Sequence, residues 1–300
     1  MIKFPPVWVP LLTAALCIAS VASAQERRKN PTSKLYVADQ LGEAQIDTGT
    51  EIDDLTKKSV FNAEGRSIET KANSNASIVL SNGTGIYFDV ETRVKISTFQ
   101  QEAFRPNRAD VEDEPSISTT HLMVERGVIG VSTSKLVAGS KMVYDTPLAT
   151  ATIHGRQAVI QSLDNLTVIS MYQGEATVQA GPLDRPHQVK NRQQIIIKPG
   201  KPGEPNIVIV QDIPDGDDQD RVKWVEERVL TADAARKLVY FEVQARKGSD
   251  DTGAISLFDG GNTGSTGSSD GSNNVIVAVP VVPPTNTVTP NVSPANLTSG

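Results

Sequence analysis

The sequence predicts an all-β body, followed by a helical segment and a disordered tail. Short runs of alternating aliphatic residues recur from Leu35 to about Ile213, with turn-forming residues between them. Residues 217–246 contain neither proline nor glycine and are rich in helix formers. Residues 248–274 consist mainly of Gly, Ser, Asp, Asn and Thr, which bury too little apolar surface to offset the entropy of ordering. The predicted divisions are 1–24, a signal peptide; 25–34, a flexible N-terminus; 35–213, the β domain; 214–247, the helical segment; and 248–300, a low-complexity tail.

The N-terminus has the form of a cleavable export signal. Lys3 precedes an apolar stretch, Val7–Val21, which is too short to span a bilayer comfortably. Ala22-Ser23-Ala24 is a small-residue cleavage site. We therefore expect cleavage between Ala24 and Gln25, and a periplasmic or secreted chain without a transmembrane anchor. An uncleaved anchor is the alternative.

Charge and cysteine content exclude several kinds of partner. The formal net charge of −6 repels phosphate backbones, so we expect no nucleic-acid partner. The single cysteine, Cys17, lies within the export signal, and Leu16 stands before it where a lipoprotein signal needs a small residue. The processed chain is therefore expected to have neither a disulfide nor a thiolate ligand for zinc.

Two hairpins are clear within the β region. Ser77–Ser81 and Ile86–Val90 flank Asn82-Gly83, a dipeptide typical of type I′ turns. A second pair of runs meets at Asp164-Asn165, and the run Ile207–Val210 closes the series. Strands of this length and spacing indicate a sandwich, barrel or solenoid.

Behind the β region, apolar residues recur at helical spacing, among them Val222, Val225 and Val229. They predict a helix that packs its apolar stripe on the β domain, and docking on a partner is the alternative. Thr231 is a suitable N-cap for a second helix. In the tail, proline interrupts the apolar run Val275–Pro284; a strand donated to another chain is the alternative to a linker here.

Ordered landmarks between residues 35 and 205 resemble the FecR domain family. The stretch around Asn82-Gly83 is similar to the family's strand, DG turn and strand, with Asn in place of the usual Asp. Val143–Ala149 with Ile153–Arg156 is similar to the signature V-x-T-P-x-A…V-x-G-T, with Arg156 in place of Thr. The landmark residues are Asn82, Gly83, Gly127, Thr146, Pro147, Gly155 and Gly174.

The resemblance implies an elongated β-sandwich or solenoid-like domain. The best-known members are sigma-factor regulators, with a cytoplasmic segment and a membrane helix before a periplasmic FecR domain. Here the FecR-like part follows the export signal directly, so we expect a periplasmic-type domain without the anti-sigma segment. The landmark glycines and prolines suit turns and bends, so they indicate architecture and no chemistry.

Patterns that carry chemistry are sparse. The histidines of the processed chain, His121, His154 and His187, are too widely spaced to form an H-x-x-x-H motif, and the chain has no G-x-S-x-G motif. The acidic runs Asp215–Asp220 and Glu112–Glu114 lack calcium-loop spacing and are interpreted as solvated loops. We expect no catalytic, cofactor-binding or metal-binding residues.

These observations favour an exported, non-enzymatic module for protein interaction, sensing or envelope scaffolding. Its expected partner is another envelope protein or a surface glycan. A secreted polysaccharide-active enzyme and a structural surface protein are the alternatives. A deep cleft with converging charged residues is typical of an enzyme, whereas an apolar groove or an open strand edge is typical of a binding protein.

Overall fold

The computed structural model describes residues 33–102, 104, 112–214, 219–245 and 274–280, and it describes side chains in residues 33–102, 104, 112–214 and 223–239. The predicted cleavage site at Ala24 and Gln25 lies outside these residues, as do most of the predicted flexible N-terminus and most of the predicted tail. Within the described part, no helix combines the length and the apolar character needed to cross a membrane.

The described chain is mostly β-strand, which confirms the predicted all-β class. The bounds of the strands up to the helix are β1 Lys34–Leu41, β2 Ala44–Asp47, β3 Ile52–Asp54, β4 Val60–Asn62, β5 Ser67–Thr70, β6 Asn75–Leu80, β7 Gly85–Phe88, β8 Arg93–Gln101, β9 Ser118–Ser132, β10 Lys141–Asp145, β11 Thr150–Ile153, β12 Gln157–Leu163, β13 Leu166–Gln173, β14 Ala176–Gln179, β15 His187–Val189, β16 Gln193–Lys198 and β17 Ile207–Asp212.

These strands form two layers. The first layer has the order β4-β1-β6-β7-β9-β12-β13-β16-β17. The second layer has the order β3-β2-β5-β8-β9-β10-β11-β14-β15. Every pairing is antiparallel except that of β9 with β10, which is parallel.

The long strand β9 belongs to both layers. Its first part pairs with β8 in the second layer, and its last part, from Gly127 on, pairs with β12 in the first. Gly127 has φ 91°, and a Cβ at this position would overlap Thr92. Gly127 therefore lies within one strand, at the point where that strand bends from one layer into the other.

The core lies between the layers. Strands of the first layer point alternate residues inward, such as Ile78 on β6, Phe88 on β7 and Ile160 on β12, and all three are fully buried. Ile46 and Ile96 meet them from the second layer in the same apolar cluster. The small share of aromatic residues is consistent with a core built from aliphatic side chains.

The turn between β6 and β7 differs from the predicted type I′ turn. Gly83 has φ 85°, but Asn82 is not among the residues with positive φ. The Gly83 N–H donates to the Leu80 carbonyl (2.9 Å), and the Leu80 N–H donates to the Thr84 carbonyl (2.8 Å). This pattern is a type I turn closed by a glycine bulge. The Asn82 side chain is buried, and its amide donates to Ser118 Oγ (3.0 Å).

The segment predicted as helical through residue 247 contains a helix and a strand. Helix α1 spans Gln219–Arg236 without a break, and the Thr231 hydroxyl donates to the Glu227 carbonyl (2.7 Å) instead of capping a second helix. Strand β18, Val239–Ala245, then pairs antiparallel with β19, Asn274–Pro280. The valines and aromatic residues at the start of β18 favour extended structure, and the predicted tail contributes its partner strand.

Candidate interaction surface

The outer face of the first layer is apolar, and α1 covers part of it. Val128 and Val159 point outward from β9 and β12, and they form a buried cluster with Val225 and Val229 of the helix. At the other end of α1, Ala235 packs with outward-facing residues of β1 and β6. The helix therefore crosses the strands of this layer and removes their apolar outer side chains from water.

Two glycines let the helix backbone approach the sheet closely. A Cβ at Gly85 on β7 would overlap the carbonyl oxygen of Ala232, and a Cβ at Gly130 on β9 would overlap the carbonyl oxygen of Arg228. Neither glycine has positive φ. These positions therefore require glycine for space and not for backbone conformation.

A buried ion pair fixes the middle of the helix. The Arg228 guanidinium donates to Asp89, which directly follows β7, with an Nη2–Oδ2 distance of 2.6 Å. The side chains of Arg228 and Asp89 are only 11% and 9% exposed. The guanidinium also lies 3.6 Å from the centre of the Trp224 ring. Charge pairing and ring stacking thus act on the same group.

Asp233 ties the last turns of the helix to β9. Its carboxylate accepts hydrogen bonds from Ser132 Oγ (2.9 Å), from Arg236 Nε (2.9 Å) and from Lys237 Nζ (2.5 Å). Burial alone raises the pKa of Asp233, but these donors outweigh it and hold the pKa below its usual value of 3.8. Asp233 is therefore ionised wherever the helix is docked near neutral pH.

Beyond the helix, the first layer ends at an open edge. Among the described residues, β17 pairs with β16 alone. Ile207, Ile209 and Val210 of this strand are 55%, 44% and 39% exposed. The strand contains neither proline nor lysine, which natural edge strands commonly use to prevent pairing with other chains.

The other edge strands of the two layers are shorter. Strands β3, β4 and β15 each have three residues, whereas β17 has six. On the same outer face, the exposed residues of β17 adjoin further apolar side chains at the end of the layer. Ile209 lies beside Ile196 in the register, and Leu163 on β12 is 47% exposed. The candidate surface therefore consists of the edge strand residues Ile207–Asp212 together with Leu163 and Ile196.

The predicted landmark residues build the frame and do not converge on this surface. Gly155 and Gly174 are in contact: a Cβ on either would overlap the other residue's backbone. The Thr146 hydroxyl accepts a hydrogen bond from the Ala149 N–H (3.0 Å) in the turn between β10 and β11, where Pro147 is exposed. The sequence located these turns, but it did not distinguish β17 as an open edge.

The polar clusters outside this surface consist of hydrogen bonds between neighbouring side chains. His121 Nε2 lies 2.5 Å from Asp145 Oδ2, and the Thr150 hydroxyl donates to Asp145 Oδ1 (2.6 Å) on the outer face of the second layer. His187 pairs in the same way with Asp184 (2.9 Å), and His154 is exposed. In the described part of the chain, no cluster of three or more His, Cys, Asp or Glu residues could hold a metal ion.

One of the predicted acidic loops is not solvated. Glu114 is buried, and its carboxylate accepts hydrogen bonds from Ser118 Oγ, from Ser140 Oγ (2.6 Å) and from the Val137 N–H (3.2 Å). The carboxylate anchors the segment before β9 to the segment before β10, so the solvated interpretation of this residue was wrong. The acidic residues 215–218 lie outside the described residues.

Comparison with known proteins finds similarity only to parts of solved structures. No protein-family model matches the chain, and no curated protein matches it. Two crystal structures of a proposed anti-sigma factor from Parabacteroides distasonis ATCC 8503, at 2.50 Å and 1.65 Å resolution, are similar in part. They share 14% and 15% sequence identity with this chain, cover 53% of it, and give a TM-score of 0.38. The chain covers 63% and 64% of those structures, less than two thirds of their length.

Fold and surface together define a class of protein. It is an all-β protein of two strand layers that share one strand, with a helix docked across one outer face and an exposed apolar edge beside it.

Proposed function

We propose that this chain is an exported, non-enzymatic interaction module of the bacterial envelope, and that it binds a protein partner by adding a strand to β17. The observation that carries the proposal is the open edge of β17, with its exposed Ile207, Ile209 and Val210. An exposed sheet edge offers main-chain donors and acceptors to an extended segment, and its side chains select that segment.

The chemistry of the edge favours a peptide over a glycan. The exposed side chains of Ile207–Val210 are aliphatic. The N–H and C=O groups on the open side of β17 have the spacing that matches those of another β-strand. Sugars carry a hydroxyl on nearly every carbon, so an aliphatic edge would leave those hydroxyls without hydrogen bonds. We therefore assign the partner to the protein class.

The proposal includes export from the cytoplasm and a FecR-like domain. The signal-like residues 1–24 support processing after Ala24 and a periplasmic or secreted location. The ordered landmarks support a FecR-like domain used for protein binding outside the cytoplasm. The absence of enzymatic activity is part of the proposal because the strongest polar constellation, His121–Asp145–Thr150, joins neighbouring strands on a flat face.

Site-specific photo-cross-linking in the native envelope tests the proposal. A photoreactive residue at Gln211, exposed on β17, is expected to capture a protein. The same residue at Leu183, which is 70% exposed and lies on the turn before β15, is the matched control and is expected to capture none specifically. Equal capture at both positions, or none at Gln211, would contradict strand addition. Turnover of an envelope polysaccharide by the purified chain would contradict the non-enzymatic assignment.

A further inference from the structure

We propose that the strand added to β17 is β17 of a second copy of this chain, paired antiparallel about a two-fold axis at Ile209. This inference rests on the proposed use of β17 as a binding edge and names the occupant of that edge. Two-fold pairing makes the same surface serve both partners, so the edge must be complementary to itself.

The hydrogen bonds of the ladder show which groups face outward. The Ile213 N–H donates to the Arg192 carbonyl across the pairing of β17 with β16 (2.8 Å). In an antiparallel pair, successive residues direct their N–H and C=O groups to opposite sides. Ile207, Ile209 and Gln211 therefore bond to β16, whereas the main-chain groups of Val208 and Val210 face the open side.

A two-fold axis at Ile209 matches this alternation. It places Val208 opposite Val210 of the second copy, and both residues have outward-facing main-chain groups. Each then donates its N–H to the carbonyl of the other, and the symmetry repeats the pair. Ile209 falls opposite itself as a non-hydrogen-bonded pair, whose side chains lie closest together in an antiparallel sheet.

The side chains also fit this register. Ile209 of each copy covers the other on the outer face, where Ile196 lies beside it on β16. Val208 and Val210 meet on the opposite face and extend the core cluster, against which Val208 already packs. The exposed aliphatic surface of the edge is thereby removed from water in both copies.

Charge is compatible with the pairing as well. Lys198, Lys201 and Glu204 lie near the start of β17, toward which the antiparallel arrangement brings Asp212 of the second copy. Asp212 itself falls opposite Asn206 of that copy. The register therefore places no like charges of β17 directly opposite each other.

Two substitutions test the pairing without disturbing the fold. Val210→Pro removes an outward N–H that β16 does not use, and Ile209→Lys places two ammonium groups opposite each other. Leu183→Lys is the control for loss of an exposed aliphatic residue elsewhere. In light scattering coupled to gel filtration, we expect a dimer for the unaltered chain and for Leu183→Lys, and monomers for the other two. A circular dichroism spectrum like that of the unaltered chain confirms that each variant is folded.

Disulfide trapping tests the register. In a chain with Cys17→Ser, Ile209→Cys is expected to form a covalent dimer on mild oxidation, because the axis places this position opposite itself. Gln211→Cys is the control, since Ile207 lies opposite it, and it is expected to stay monomeric. Dimers from Gln211→Cys alone would overturn the register.

Different results would contradict strand addition at β17 and pairing of β17 with a second copy. A monomeric unaltered chain whose β17 cross-links to a different protein overturns the second copy and leaves strand addition in place. A monomeric chain that cross-links to nothing through β17 overturns both.

Discussion

Arg228 on α1 donates two hydrogen bonds to the same carboxylate oxygen of Asp89, from Nη2 at 2.6 Å and from Nε at 3.0 Å. The two residues are far apart in sequence, and their pairing fixes the helix over the outer face of the first layer. The contact therefore holds α1 against the strands whose outward-facing valines it covers.

We expect Arg228→Ala to destabilise the protein strongly. It leaves the buried Asp89 carboxylate without its charge partner, and breaking such a pair costs about 3–5 kcal/mol. The free energy of unfolding in urea measures this effect. Lys57→Ala is the matched control: Lys57 and Asp39 lie 2.8 Å apart but their side chains are 55% and 64% exposed, so we expect little change in stability. Equal losses for the two variants would show that the Arg228 pair is not effectively buried.

Gly130→Ala is expected to loosen α1. Its Cβ would overlap the Arg228 carbonyl, so the helix must move away from β9. Hydrogen exchange along Gln219–Arg236 should speed up more than exchange in the core strands. Gly49→Ala is the control, since Gly49 has φ 84° but open space around it, and its cost of about 1–2 kcal/mol is conformational only. Unchanged exchange in the helix of Gly130→Ala would contradict the close approach.

The docking of the helix is expected to weaken in acid through Asp233. The pKa of Asp233 is lower in the folded chain than its usual value of 3.8, so its ionised form stabilises the folded state above that value. This contribution is lost as the pH falls through the folded pKa. Asp233→Asn should therefore be less stable than the unaltered chain near neutral pH, and the difference should shrink below about pH 4.

Urea unfolding at neutral and acid pH measures this difference. Asp39→Asn is the control, because that carboxylate is exposed, and it should change stability little at either pH. A difference for Asp233→Asn that stays constant down to acid pH would show that its charge does not support the folded state.

Tyr144→Phe is expected to maintain or raise stability. The Tyr144 side chain is fully buried between the layers, and its hydroxyl has no hydrogen-bond partner among the described residues. Burial also raises the pKa of this phenol well above its usual value. Removing an unsatisfied buried hydroxyl gains about 1 kcal/mol or more. A clear loss in the midpoint of thermal unfolding would show that the hydroxyl has a partner.

Local features of this fold were predictable from the sequence. The hairpin at Asn82-Gly83 and the turn at Thr146-Pro147 depend on residues close in sequence, and alternation in the flanking runs identifies the strands. The helix beginning near residue 219 was predictable from its spacing of valines for the same reason.

Long-range features were not predictable. Gly127 was recognised as a landmark, but only the pairing of β9 with both β8 and β12 shows that it marks a crossing between layers. Likewise, the run at Ile207–Val210 has the composition of a buried central strand. Its edge position follows from which strands pair, and that depends on contacts distant in sequence.

Amide exchange of β17, measured residue by residue in dilute and in concentrated protein, shows directly whether β17 is an open edge that pairs with a second copy. The Ile209 N–H faces β16 and should be protected at both concentrations. The amides of Val208 and Val210 face the open edge, so they should exchange fast when dilute and become protected as β17 gains its partner strand. Protection of these two amides in dilute monomer would show that the edge is not open, and fast exchange at every concentration would show that β17 gains no partner strand.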